Sequence, residues 1–151
     1  MSFFRLCFFL LVGALSLCVA PPTFAQSAEN VTTVEGPRGE EMTLTAQPHG
    51  LADGLSARAM CISAPDTTRW ALSLIGATEE DEISLTYGDE SMPIEGIDRP
   101  EDGVGPTKVY VSKENFLTMA ETATVTLRVG TVSVSLPEAL RHEMRVIFDR
   151  S

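Results

Sequence analysis

Two histidines, His49 and His142, and three cysteines, Cys7, Cys18 and Cys61, are the whole supply of imidazole and thiol in this chain. A zinc site draws three or four such ligands from close spacings. Neither HxxxH nor CxxC spacing occurs, so no metal ligand set and no cofactor is expected. His49 falls in Gln47-Pro48-His49-Gly50, which reads as a turn. His142 follows Glu138 by one helical turn, a spacing that predicts a surface ion pair.

Carboxylates are the abundant reactive type. Glu79-Glu80-Asp81-Glu82, Asp89-Glu90 and the group Asp98, Glu101 and Asp102 are oxygen-rich loop segments. Calcium takes six to eight oxygens, usually from several segments. None of these runs has the D-x-[DN]-x-[DN]-G pattern of an EF-hand loop, and solvated acidic loops are the expectation. No G-x-S-x-G elbow proposes a serine nucleophile, and no catalytic residue is assigned. Gly103-Val104-Gly105 lacks the rest of a phosphate-binding GxGxxG and is followed by Pro106, so its glycines read as turn residues. Asn30-Val31-Thr32 has the spacing of a glycosylation sequon.

The single thiol outside the first 25 residues is Cys61, within the strand-like run Ala57–Ser63. No histidine or basic cluster lies beside it to lower its pKa, so it is expected to be a buried core residue. The aromatic residues Trp70, Tyr87, Phe116 and Phe148 lie on apolar faces and are expected in the core. Tyr110 differs: Val109 and Val111 share one face of its strand, and Tyr110 points the other way with Lys108 and Ser112.

The full 151-residue chain carries a net charge of −10. Nucleic acid and anionic lipid attract basic surfaces, so neither is an expected partner. The acid excess serves solubility, or forms a patch for a cation or a basic partner.

The first 25 residues carry an address. Arg5 is a short positive region, Leu6–Ala20 an apolar run of 15 residues, and Pro21-Pro22 a helix stop. Thr23-Phe24-Ala25 places small residues where a signal peptidase needs them. The run is shorter than the roughly 20 residues of a membrane-spanning helix. Cleavage after Ala25, export to a periplasmic or extracellular space, and no stable membrane span in the remaining chain are therefore expected. Cys18 follows Leu17, which is too large for a lipobox, so lipid anchoring at Cys18 is the poorer chemical fit.

Residues 26–40 read as a flexible lead-in and residues 41–151 as a single domain, a length that can bury about two-thirds of its unfolded surface. Strands are predicted at Glu41–Ala46, Ala57–Ser63 and around Trp70–Ile75. Two hairpins follow. In the first, Ile83–Tyr87 meets Met92–Glu95 across Gly88–Ser91, with Tyr87 opposite Met92 and Leu85 opposite Ile94. In the second, Gly130-Thr131 suits a type II′ turn. It sets Val129 against Val132, Leu127 against Val134 and Val125 against Leu136, with Arg128–Ser133 and Thr126–Ser135 on the other face.

Ser112 is placed to cap a helix over Lys113–Thr122, with Phe116, Met119, Ala120 and Ala123 on one stripe. A second helix runs from about Pro137 to Asp149, capped from Ser135 or from Leu136. Asp98–Thr107 is the longest expected irregular loop. The fold class is α+β: a mostly antiparallel sheet of about six to eight strands with two short helices in the C-terminal half.

Two functions fit this frame. One is an exported, non-enzymatic binding or cell-envelope-associated protein that engages a protein or small-molecule partner. The alternative is a small secreted hydrolase whose acidic residues do the chemistry. A pocket with convergent carboxylates would favour the hydrolase; a flat sheet face or apolar surface groove would favour binding.

Overall fold

The long hairpin of β4 (Leu55–Ala64) and β5 (Thr67–Ile75) is the axis of the molecule, joined at Pro65-Asp66. Alternation along it puts Ala57, Ala59 and Cys61 of β4 on the same side as Trp70, Leu72 and Leu74 of β5, all buried. The computed structural model describes residues 30–36, 39 and 41–151. The expected leader, with Cys7, Cys18 and the Ala25 cleavage point, lies outside the described residues.

Seven strands form the large antiparallel sheet around this axis. Its order is β1 (Thr32–Glu35), β2 (Met42–Thr45), β4, β5, β9 (Thr107–Val111) and β8 (Gly96–Asp98). β3 (His49–Ala52) pairs with β4 end to end with β2. A four-stranded sheet follows the order β11 (Val132–Ser135), β10 (Val125–Val129), β6 (Ile83–Tyr87) and β7 (Glu90–Met92). With α1 (Lys113–Glu121) and α2 (Glu138–Arg150), this is an α+β fold with both helices in the C-terminal half.

The described residues form eleven strands, the larger sheet having seven, and the second sheet and the extra strands arise because short pieces pair where sequence alternation is too brief to register. β1 lies inside residues 26–40, read as a lead-in, yet it pairs Thr32–Glu35 with Thr45–Met42. Val31 just before it is buried in the core. β3 begins at His49, in what reads as a turn.

Ser112 caps α1 as expected, its Oγ accepting the Asn115 N–H at 3.1 Å. Phe116, Met119 and Ala120 are buried, whereas Ala123 lies past the helix end and is exposed. α2 is capped from neither Ser135 nor Leu136. Pro137 takes that position without a side-chain bond, and its carbonyl accepts the Arg141 N–H at 3.0 Å. Leu140, Met144 and Ile147 bury one stripe of α2, with Phe148 half-buried beside them.

One core joins both helices to the inner faces of both sheets. Trp70 is its aromatic centre, 4.9 Å from the Phe116 ring and 5.4 Å from the Phe148 ring between centroids. Burying each such large side chain contributes about 1.5–3 kcal/mol.

The second hairpin forms in the expected register, from Val129↔Val132 to Thr126↔Ser135. Gly130 has φ 57°, as a type II′ turn requires at that position, and a Cβ there would collide with the Asp81 carboxylate. Val125 instead faces Tyr87 of β6, and Leu136 leaves the strand into the core. The first hairpin forms two residues out of the expected register. Leu85 pairs with Met92 and Tyr87 with Glu90, so Gly88-Asp89 alone makes the turn. A shift of two keeps every side chain on its face, so polarity sorting cannot distinguish the two registers. Ile94 still packs against the core, from outside the strand.

Candidate functional site

The fold brings one ionisable pair together that no local spacing announced. His49 Nε2 lies 2.7 Å from Glu143 Oε2, across 94 residues of chain. The Glu143 side chain is 2% exposed and that of His49 21%. His49 is opposite Ala57 and shares its inner face, so its ring points at α2. Glu143 therefore has its partner at the sheet–helix seam. A buried carboxylate without one would cost several kcal/mol.

Among the described residues, no nucleophile is bonded to this pair. Cys61 is buried two face-repeats further along β4, with Ser63 Oγ 3.9 Å from its sulfur. Ser151 also reaches it, so the run from Glu143 to Ser151 along α2 covers the distance, about 12 Å at the helical rise. Burial pushes the Cys61 thiol above its ordinary pKa, against smaller opposing effects of Ser63, Ser151 and Lys113. It is a core thiol rather than an activated one.

The acidic segments that stood out in the sequence fold into local supports. Asp81 accepts the Thr78 N–H at 2.7 Å and the Thr78 hydroxyl at 3.0 Å, which holds its carboxyl below the usual range. Arg99 donates to the carbonyls of Thr78, at 2.5 Å, and Asp81, at 2.7 Å, tying the 76–82 loop to the strand end. Asp102 accepts the Val104 N–H at 3.1 Å, and Asp98 pairs with Lys108 at 3.3 Å. Among the described residues, no three His, Cys, Asp or Glu side chains converge to hold a metal ion.

Two larger depressions lie at the surface of the described residues, beside a smaller one of about 180 Å³ with Asp53 and Asp81 in its lining. One, of about 630 Å³, lies between α1 and α2 and is lined by Glu121, Glu138, Arg141, His142 and Arg145. Arg145 is held there by ion pairs to Glu121 and Asp149. Glu138 and His142 share its wall, which is where sequence spacing set them together. The other, of about 700 Å³, lies between the 76–79 and 103–106 loops, with Arg58 and Ile75 at its side. Gly103 and Gly105 line it as turn residues with positive φ. Both are open to solvent, and neither gathers several carboxylates around one point.

The outer face of the seven-stranded sheet is organised apart from these depressions. Both helices and the small sheet pack on the inner face, with the main core. The outer face has its own centre: Met60, Ile62 and Ala71, with Tyr110 packed on them. The register lays these out in rows. Val34, Thr43, Ile62 and Arg69 lie across β1, β2, β4 and β5. The next row is Thr32, Thr45, Met60, Ala71, Tyr110 and Gly96. The third is Arg58, Ser73, Lys108 and Asp98. Arg69 lies over the Tyr110 ring at 5.0 Å, a cation–π contact. Arg58 Nε donates to Ser73 Oγ at 3.4 Å. Tyr110 points away from Val109 and Val111, as expected, and is half-buried under Arg69.

Sequence reasoning singled out Tyr110 and Lys108 from this face and missed Arg58, Arg69 and Met60. The missing signal was the β4–β5–β9 register, which alone aligns them. No protein-family model, no curated protein and no solved structure matches the chain.

Proposed function

We propose that this chain is exported after cleavage at Ala25 and acts as a non-enzymatic binding or cell-envelope-associated protein, engaging its partner through the outer face of the large sheet. The observation that carries this reading is the separate apolar centre on that face. Antiparallel sheets commonly turn a polar face to water. Here Met60 and Ile62 stand where polar residues would serve solubility, though they are only 7% and 5% exposed; the apolar surface left open beside them is Val34, 53% exposed. Exposed apolar surface at the margin of such a cluster is where a docking partner would gain contact. Among the described residues, no helix is long and apolar enough to cross a membrane, which fits a chain working outside the bilayer core.

The hydrolase alternative asks for a carboxylate poised in a cleft. The buried acid, Glu143, is instead turned to His49 at the sheet–helix seam.

A photo-crosslinking residue at Val34, in the exported protein of its native cells, should capture a discrete partner. The same residue at Glu90, on the edge of the small sheet, should not. Capture at Glu90 alone, or at neither position, would remove the outer face as the docking surface. N-terminal sequencing of the exported protein should start at Gln26; a lipidated Cys18 terminus would overturn the export route.

A further inference from the structure

We infer that the partner at the β1 margin of the outer face is a second copy of this chain, joined strand to strand about a two-fold axis at Val34. This rests on the outer face being where the partner docks and names that partner.

Among the described residues, β1 pairs on one side only, with β2, and all four of its residues are exposed. In an antiparallel ladder, residues that bond the neighbouring strand alternate with residues whose N–H and C=O point the other way. The Gly36 N–H donates to the Glu41 carbonyl at 2.7 Å, which sets the phase. Val34 and Thr32 therefore bond to β2, and Thr33 and Glu35 turn their N–H and C=O out of the sheet. β2 agrees: the Ala46 N–H donates to the Ala59 carbonyl at 2.9 Å, so Met42 and Leu44 bond to β4, and Thr43 and Thr45 to β1. No other described group bonds to the outward groups of Thr33 and Glu35. Such an edge is a template for another strand. The other edges offer less: β7 and β8 have three residues each, and β11 lies against β3.

Phase and charge select one two-fold register. Centring on Glu35 sets two carboxylates opposite each other, which is destabilising. Centring on Thr32 or Thr33 sets Thr33 or Glu35 opposite Val31, whose carbonyl already accepts from Arg150 Nη1 at 3.4 Å. Centring on Val34 avoids both. Thr33 of each copy then exchanges both N–H···O=C bonds with Glu35 of the other. Val34 meets Val34 of the second copy as a non-hydrogen-bonded pair, where Cα atoms approach to about 4.5 Å. That contact covers an apolar side chain that is 53% exposed on the outer face. Glu35 lies on the opposite, inner face, as Val31 does. In the second copy it stands opposite Thr33 and diagonal to Val31, within reach of the Arg150 guanidinium. A two-fold axis normal to the sheet keeps both outer faces on one side, so two large sheets become one. The seam is isologous and short, which places it among weak, reversible interfaces.

Sedimentation of the exported protein should give one chain's mass when dilute and twice that mass at millimolar concentration. Glu35→Pro should weaken the pair about tenfold or more, because it removes one donor N–H from each half of the seam. When dilute, this variant should melt with the parent, since that N–H takes no part in the β1–β2 ladder. A second measurement does not depend on proline being tolerated. In a Cys61→Ala background, Val34→Cys should form a disulfide-linked pair in oxidised glutathione faster than Thr33→Cys or Glu35→Cys, whose own copies lie further apart. One chain's mass at every concentration would overturn the inference. So would an equally tight pair in Glu35→Pro, or equal cross-linking at the three positions. Capture of a different protein at Val34 in native cells, with no pairing of the purified chain, would leave the outer face as the docking surface and remove the second copy. Self-capture at Val34 would support both.

Discussion

The outer faces of the two sheets are built from different chemistry. On the small sheet, the residues turned from the core are Ser84, Thr86, Ser91, Thr126, Arg128, Ser133 and Ser135, hydroxyls around one guanidinium. On the large sheet the same topological position carries Met60, Ile62, Ala71 and Tyr110. Both faces belong to antiparallel sheets of one chain and share one core on their other sides. The small sheet therefore shows what solvent alone demands of this protein. The departure on the large sheet is specific to that face, where Met60, Ile62 and Ala71 form a second, small buried cluster that the small sheet lacks.

Substitutions can break this contrast or sharpen it. The largest effect belongs to the covered side. Leu127 is 0% exposed and paired to both Leu85 and Val134, so Leu127→Asp should cost several kcal/mol, comparable to the stability of the whole domain. Urea melts of the purified variant measure it; a loss below about 1 kcal/mol would mean that the small sheet has no covered face.

His49→Ala comes next, at about 3 kcal/mol, because it strands the buried Glu143 carboxylate. Adding Glu143→Gln should recover part of that loss in the same melts. A double variant no more stable than His49→Ala alone would show that the ring's packing, and not its bond, matters.

Met60→Ala should cost about 2 kcal/mol, the low end for a buried methionine, since the cluster it leaves is small. Met144→Ala in the main core should cost more. The reverse order in thermal melts would make the outer cluster a second structural core rather than a surface feature.

Thr126→Asp, next to Leu127 but on the hydroxyl face, should cost about 1 kcal/mol or less. A loss equal to that of Leu127→Asp would show both faces of β10 to be covered.

The smallest effect is a slope with pH. Burial raises the Cys61 thiol above the ordinary thiol pKa of 9.0, so the unfolded chain gives up this proton first. Stability from this group is intact below about pH 9 and declines as pH rises through the folded pKa. Cys61→Ala should flatten that alkaline decline. The native thiol should also label slowly until the protein unfolds; prompt labelling would show it to be accessible.

What the sequence made legible was local. Gly130-Thr131 and the polarity of its flanking pairs fixed one hairpin, and Ser112 fixed the start of α1, because each signal lies within a few residues of its partner. The β6–β7 register escaped because face sorting repeats every two residues. β1 and β3 escaped because four-residue strands are specified by the neighbour they pair with. His49 read as a turn residue, and its meeting with Glu143 depends on α2 lying along β4. The outer face is a more instructive miss. Arg58, Arg69 and Lys108 sit in three strands, and nothing in their own segments distinguishes them from ordinary surface cations.

Arg150 Nη1 reaches the carbonyl of Val31 at 3.4 Å, so the two ends of the described fold meet. A domain whose ends coincide can be spliced into a loop of a host protein without spreading that loop, and its chain can be rejoined in a different order. A short linker across this gap, with new ends opened at the exposed Gly88-Asp89 turn, would leave every strand pairing available. The same proximity makes the molecule a one-sided object for attachment. A tether fixed at either end holds it by the same corner.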